Sequence, residues 1–196
     1  HMVAVGPGDE RAFVANIGSG SVTVIDLEEG ERVANIATGE GAEGVAVTEA
    51  GHVWVTNRAA DNLTVLDGSS LEPLATLESP GFPIRATAAG KKVLVTRAKA
   101  GDLAIYDDDD LGKVTSIPLE LEAKDVEGRL FGDRFGKSSV PIGVVVNEDA
   151  TRAWIAHANA DKISEVDIAA GKIARRLTAG REPDGMAYTT RDVAKN

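Results

Sequence analysis

The chain has 196 residues, 43% of them hydrophobic and 27% charged, an ordinary balance for one globular domain with a proper core. Its net charge of −10 argues against general nucleic-acid binding, because neutralising phosphates needs a surplus of Lys and Arg. It has no cysteine, which excludes disulfides, thiolate metal sites, c-type haem attachment and cysteine nucleophiles, and no apolar run approaches the roughly eighteen residues needed to cross a bilayer.

Near the start, Asp9, Glu10 and Arg11 stand where the apolar stretch of a signal peptide would lie. A periplasmic or extracellular setting, with the signal outside this chain, is expected; a cytoplasmic one is the alternative. His1-Met2 falls in register with Glu43-Gly44, Ile142-Gly143 and Asp184-Gly185.

Four tetrapeptides then recur in equivalent places: Phe13-Val14-Ala15-Asn16, Trp54-Val55-Thr56-Asn57, Leu94-Val95-Thr96-Arg97 and Trp154-Ile155-Ala156-His157. Ten residues after each comes an aspartate, Asp26, Asp67, Asp107 and Asp167, at intervals of 41, 40 and 60 residues. A period near forty residues marks a repeat architecture. In the second copy the strands are predicted at Val45–Thr48, His52–Asn57, Asn62–Asp67 and Pro73–Leu77, with turn chemistry between them. The aspartates end strands and begin turns, where a carboxylate bonds the backbone two residues on, so a structural role is expected for all of them. The run Asp107–Asp110 reads as a solvated acidic turn, because no spaced calcium ligand set accompanies it.

Four antiparallel strands per forty residues is the pattern of a β-propeller blade. The tetrapeptides, with Ser21–Asp26 and Asn62–Asp67 after the first two, resemble the YVTN family of β-propeller repeats over nearly the whole chain. Trp54–Asn57 is nearest that family's motif, while Arg97 and His157 depart from it. An all-β propeller is therefore expected as a single domain over 1–196, with blades at about 3–44, 45–85, 86–143 and 144–185. Met186–Thr189 matches the innermost strand of a fifth blade, so an orphan strand is expected over 186–190. Members of the family commonly have seven blades. A partial or partner-completed ring is expected ahead of a small closed one, because an open arc leaves blade faces and edges uncovered.

The turns between second and third strands, and the links between blades, emerge on one face of a propeller. Loops on a rigid scaffold are the usual place for binding residues. The third link is stretched: Ala86 to Val144 spans 58 residues against 41 or 42 elsewhere, an insertion within about 119–139. It holds Arg129, Phe131, Arg134, Phe135 and Lys137, and its simplest role is a flap over the channel mouth or a blade edge. Together the turns, links and insertion nominate Arg58, Arg85, Arg97, Arg129, Arg134, Phe135, His157 and Arg181 as binding residues for an anionic ligand or acidic partner.

No catalytic or metal site, and no cofactor, is expected. Gly132–Ser138 is one residue too short between its glycines for a phosphate loop and precedes a strand where that motif needs a helix. The three histidines lack metal-ligand spacing, and a copper brace at His1 would need the fold to bring up a second one. The expected function is a non-catalytic binding or scaffold propeller recognising a protein, peptide or anionic ligand. The alternatives are a lactonase-like, metal-dependent hydrolase with a channel site and an accessory subunit of a larger assembly.

Overall fold

The computed structural model describes residues 1–191, so residues 192–196 of the expected domain lie outside the described residues. Blade 1 is β1 (Val3–Val5), β2 (Arg11–Asn16), β3 (Ser21–Asp26) and β4 (Arg32–Ala37); blade 2 is β5 (Ala42–Val47), β6 (His52–Asn57), β7 (Asn62–Asp67) and β8 (Pro73–Glu78). Blade 3 is β9 (Pro83–Ala89), β10 (Lys92–Arg97), β11 (Asp102–Asp107) and β12 (Val114–Pro118); blade 4 is β13 (Pro141–Val146), β14 (Arg152–His157), β15 (Lys162–Asp167) and β16 (Lys172–Thr178). Each blade is a four-stranded sheet in chain order, antiparallel throughout, which is the architecture of an open β-propeller.

The repeat is visible in the register. Arg11, His52, Lys92 and Arg152 pair with Asp26, Asp67, Asp107 and Asp167 in turn. One carboxylate oxygen of each aspartate then accepts backbone N–H groups from the following turn: Glu28 and Glu29, Ser69 and Ser70, Asp109 and Asp110, and Ala170. Those bonds hold Asp67, Asp107 and Asp167 below the usual carboxylate range. The opposite ends of the blades are knitted just as regularly. Thr38, Ser79, Leu119 and Ala179 donate their N–H to Gly20, Asp61, Gly101 and Asp161, which gathers the second turns and the interblade links on one face.

Alternation buries both faces of the inner blades. The face of each blade turned toward its successor carries the first tetrapeptide residue. Phe13 lies with Val45, Val53 and Leu66 of blade 2, Trp54 with Ala86 and Tyr106 of blade 3, and Leu94 with Ile155 and Val166 of blade 4. Two blade joints add a buried hydrogen bond: Thr56 donates to the Ile84 carbonyl and Thr96 to the Ile142 carbonyl, at 3.1 and 2.7 Å. Asp108, enclosed in the third copy's acidic turn, receives Trp54 Nε1 at 2.7 Å and faces His52 Nδ1 at 3.1 Å. That residue of the run is not solvated as expected; it fastens blade 3 to blade 2.

The ring is open. The outward face of blade 1 shows Val3, Val5 and Val33 to solvent. At the other end, residues 183–190 form no strand, which corrects the expected orphan strand: among the described residues no strand follows to pair with it. The segment nonetheless lies against blade 4 as an inner strand would. A side chain at Gly143 would run into the Asp184 carbonyl, just as one at Gly44 would meet the Ile84 carbonyl of the next blade. Tyr188 stacks on Trp154 at 5.5 Å and 17°. The insertion folds over the loop face, with Phe131 and Phe135 partly buried against Phe82, Ile84, Val140 and Ile142.

Candidate functional site

Two linked groups of side chains occupy the loop face. The first stands where the inner strands β5 and β9 begin. Glu43 on β5 is 3% exposed; its Oε1 accepts a hydrogen bond from Arg85 of β9 at 2.5 Å, and its Oε2 lies 2.6 Å from Arg58 Nη1. His1 Nδ1 is 3.6 Å from the same carboxylate, and Arg85 also reaches Asp184 at 3.5 Å. A buried carboxylate needs this compensation, because desolvating a charge without a partner is costly.

The second group is a pocket of about 360 Å³ lined by Arg58, Ala59, Asp61, Phe82, Lys99, Arg134 and Phe135. Phe82 forms its floor. The link turns there through positive φ at Gly81 and Phe82 (108° and 64°), and Asp61 holds the turn by accepting both backbone N–H groups at 3.2 and 2.7 Å. Above the ring lie the guanidiniums of Arg58 and Arg134, at 5.4 and 4.9 Å from its centroid. Phe135 packs against Phe82 at 4.9 Å and also carries Arg134 at 5.2 Å. Such contacts place cations over aromatic faces. Neither Arg134 nor Lys99 has an acidic partner among the described residues, and the nearby Asp61 carboxylate is occupied by backbone. Rings with convergent cations bind an anion that has an apolar body.

Of the residues nominated from sequence, Arg58, Arg134 and Phe135 meet in this pocket, and Arg85 is joined to it through Glu43. The other four are engaged elsewhere. His157 is fully enclosed, with Nδ1 2.8 Å from Ser139 and Nε2 2.8 Å from Ser164, so no ring nitrogen is left for a ligand. Burial, with a smaller contribution from Arg176, pushes its imidazole down to about 4. Its place in the repeat explains it: Asn16 bonds Thr23 and Asn57 bonds Thr64, at the positions of His157 and Ser164. In the third copy that partner is Ala104, and Arg97 instead grips Asp102 at 2.8 and 2.5 Å and bonds Ser116 at 2.8 Å. These departures from the tetrapeptide are scaffold bonds.

Arg129 is likewise spent inside the fold. It pairs with Asp161 at 2.7 and 2.9 Å and also donates to the Ala158 and Asp125 carbonyls. The pair holds Asp161 far below the usual carboxylate range and raises Arg129. Arg181 donates to the Glu127 carbonyl at 3.0 Å on the far side of the insertion. His52 and His157 are held by Asp108 and by serines, so neither comes to His1 to complete a copper brace. No cluster of three or more His, Cys, Asp or Glu suited to a metal occurs among the described residues. Phe82, Glu43 and Asp61 went unrecognised as site residues. A bulky aromatic between Gly81 and Pro83, found in the second link and in none of the other copies, is the sequence signal by which Phe82 could be found.

No protein-family model and no curated protein matches the chain. Solved structures do match in fold. Hydrazine synthase from Kuenenia stuttgartiensis aligns with a TM-score of 0.76 and 18% identity over 90% of this chain and 48% of that one. Virginiamycin B lyase from Staphylococcus aureus, a catalytically inactive variant with quinupristin, aligns with a TM-score of 0.74 and 12% identity over 93% of this chain and 57% of that one. The β-propeller domain of Cps50 (Swd1) from Myceliophteria thermophila gives 0.70 and 8% over 92% and 57%. At these identities the likeness is one of fold alone, and the chain spans about half the length of the structures it matches.

Proposed function

We propose that the chain is a binding propeller whose loop face captures an anionic group in the pocket of Arg58, Lys99, Arg134, Phe82 and Phe135. The observation that carries this is two guanidiniums held over one phenylalanine, with Lys99 beside them, in a protein of net charge −10. Arg58 shares its charge with Glu43, whereas Arg134 and Lys99 have no acidic partner among the described residues, and such a surplus of positive charge attracts a ligand of opposite sign. The structural neighbours include a hydrazine synthase, a virginiamycin B lyase and a β-propeller domain of Cps50 (Swd1), and fold alone does not choose among such roles. The pocket offers donors and rings but no paired base and nucleophile, which supports binding over the hydrolase alternative.

The test is calorimetric titration with benzoate and phenyl phosphate. Arg134→Ala with Phe135→Ala is expected to abolish heat of binding while moving the thermal midpoint little, because Arg134 is exposed and Phe135 only half-buried. Intact binding in the double variant overturns the proposal. A second reading, that the arc is completed by further blades or by a partner, is supported by the uncovered valines of blade 1 and by the strand-like seat of residues 184–188 on blade 4.

A further inference from the structure

We propose that Glu43 sets the selectivity of the loop-face pocket, restricting it to ligands that carry a dianionic head group on an aromatic ring, an aryl phosphate being the simplest. This rests on the anion-binding reading above and specifies its ligand class.

Arg58 belongs to both side-chain groups. Its guanidinium lies over Phe82 at 5.4 Å while Nη1 stands 2.6 Å from Glu43 Oε2. The two oxygens of Glu43 are held unequally. Oε1 takes a hydrogen bond from Arg85 at 2.5 Å, whereas Oε2 has the Arg58 charge beside it but no aligned hydrogen bond. The Arg85 side chain is 12% exposed and that of Arg58 26%. Arg85 is thus the fixed partner of the buried carboxylate, and Arg58 is the one able to swing toward a ligand.

A ligand must therefore compete with Glu43 for Arg58. A monocarboxylate offers Arg58 only what Glu43 already supplies, and the exchange leaves Glu43 Oε2 without its neighbour. A phosphoryl group brings close to two charges and three strong acceptor oxygens. Coulomb attraction scales with the product of the charges, so a dianion engaging Arg58, Arg134 and Lys99 outweighs the loss at Glu43. The tilted pair Phe82 and Phe135, 4.9 Å apart, supplies the wall for an aryl group. Inorganic phosphate has the charge without the ring.

The experiment is calorimetric titration at pH 8 and low salt with phenyl phosphate, benzoate and inorganic phosphate. Wild type is expected to bind phenyl phosphate about tenfold more tightly than either of the others, a difference of the size that one added charge contact makes. In Glu43→Gln, which keeps a side chain for Arg85 to bond and releases Arg58, benzoate is expected to gain most, narrowing its gap to about threefold. Arg58→Gln keeps the test decisive if Glu43→Gln fails to fold: with the contested residue gone, the gap narrows as well. An unchanged ratio in the folded variant overturns the role of Glu43, and inorganic phosphate binding as tightly as phenyl phosphate overturns the aromatic requirement. Wild type that binds none of the three overturns the anion-binding reading itself.

Discussion

Val3 and Val45 hold the same place on the inner strands of the first and second repeats, yet Val3 is 60% exposed and Val45 is 4% exposed. The contrast continues across the two sheets. Val14 and Ile25 of blade 1 are half-buried, while their counterparts Val55 and Leu66 are fully buried against blade 1. The residues are of one class; the difference lies in whether a neighbouring blade is present. Burial in a repeat architecture is a property of the joint, with each repeat leaning on its neighbours. The two tryptophans tell the same story from the opposite face: Trp54 is enclosed between blades 2 and 3, and Trp154 is covered on blade 4 by Tyr188.

The largest effect expected from breaking this contrast is at the inner joint. Trp54→Ala removes a buried ring and the hydrogen bond to Asp108, and should cost about 3–5 kcal/mol by denaturant titration. Trp154→Ala should cost about 1–2 kcal/mol, because less area is buried there. Equal losses would mean that the end of the arc is as tightly covered as its middle.

Next comes acid. His157 is held neutral by burial, with its pKa pushed down to about 4. Its folded value lies below the unfolded one near 6.5, so the unfolded chain binds the extra proton between them. The stabilisation is present above about pH 6.5 and is lost as the pH falls through about 4, amounting to about 3 kcal/mol at most. His157→Asn places here the residue that bonds strand three in blades 1 and 2. It should fold and lose this part of the acid slope, read from thermal midpoints between pH 4 and 7. An unchanged slope would assign it to other groups.

A smaller loss is expected at the hydrogen bond from Thr96 to the Ile142 carbonyl. Thr96→Val keeps the shape and leaves a buried carbonyl unsatisfied, costing about 1–2 kcal/mol. At the equivalent positions Ala15 and Ala156 have no hydroxyl. The Asp184 carbonyl lies beside Gly143 and Ala156 as the Ile84 carbonyl lies beside Gly44 and Thr56, so Ala156→Ser should gain up to about 1 kcal/mol. No gain would show that the 184–188 segment does not hold that carbonyl in place in solution.

Much of this scaffold is legible in the chain because it is local. The four aspartates, the turn glycines and the alternating strands carry their reasons within a dozen residues, and the strands predicted for the second copy agree with β5 to β8 within a few residues. The site is not local in that sense. Phe82 and Phe135 are 53 residues apart, and their contact depends on how an insertion without repeat precedent folds back. Glu43 was masked by its position at a blade link, where an acidic residue reads as solvated until two arginines from other elements are seen to close on it. Arg97 and His157 misled for the opposite reason. Each departs from the asparagine of the first two copies, but each still bonds strand three of its own blade, His157 at the usual position and Arg97 at Asp102.

The smallest expected effect is also the sharpest measure of the open face. Val45→Thr puts a hydroxyl into the sealed joint between blades 1 and 2 and should cost about 1–3 kcal/mol, the penalty for burying a polar group without a partner. Val3→Thr makes the same chemical change at the same repeat position in contact with water, and should stay within about 0.5 kcal/mol. The pair of variants cancels intrinsic strand preference, since both replace one β-branched residue with another of nearly the same shape. What is left is the presence or absence of a covering blade. If Val3→Thr loses as much as Val45→Thr, and the loss grows with protein concentration, then the outward face of blade 1 is sealed in solution by another molecule.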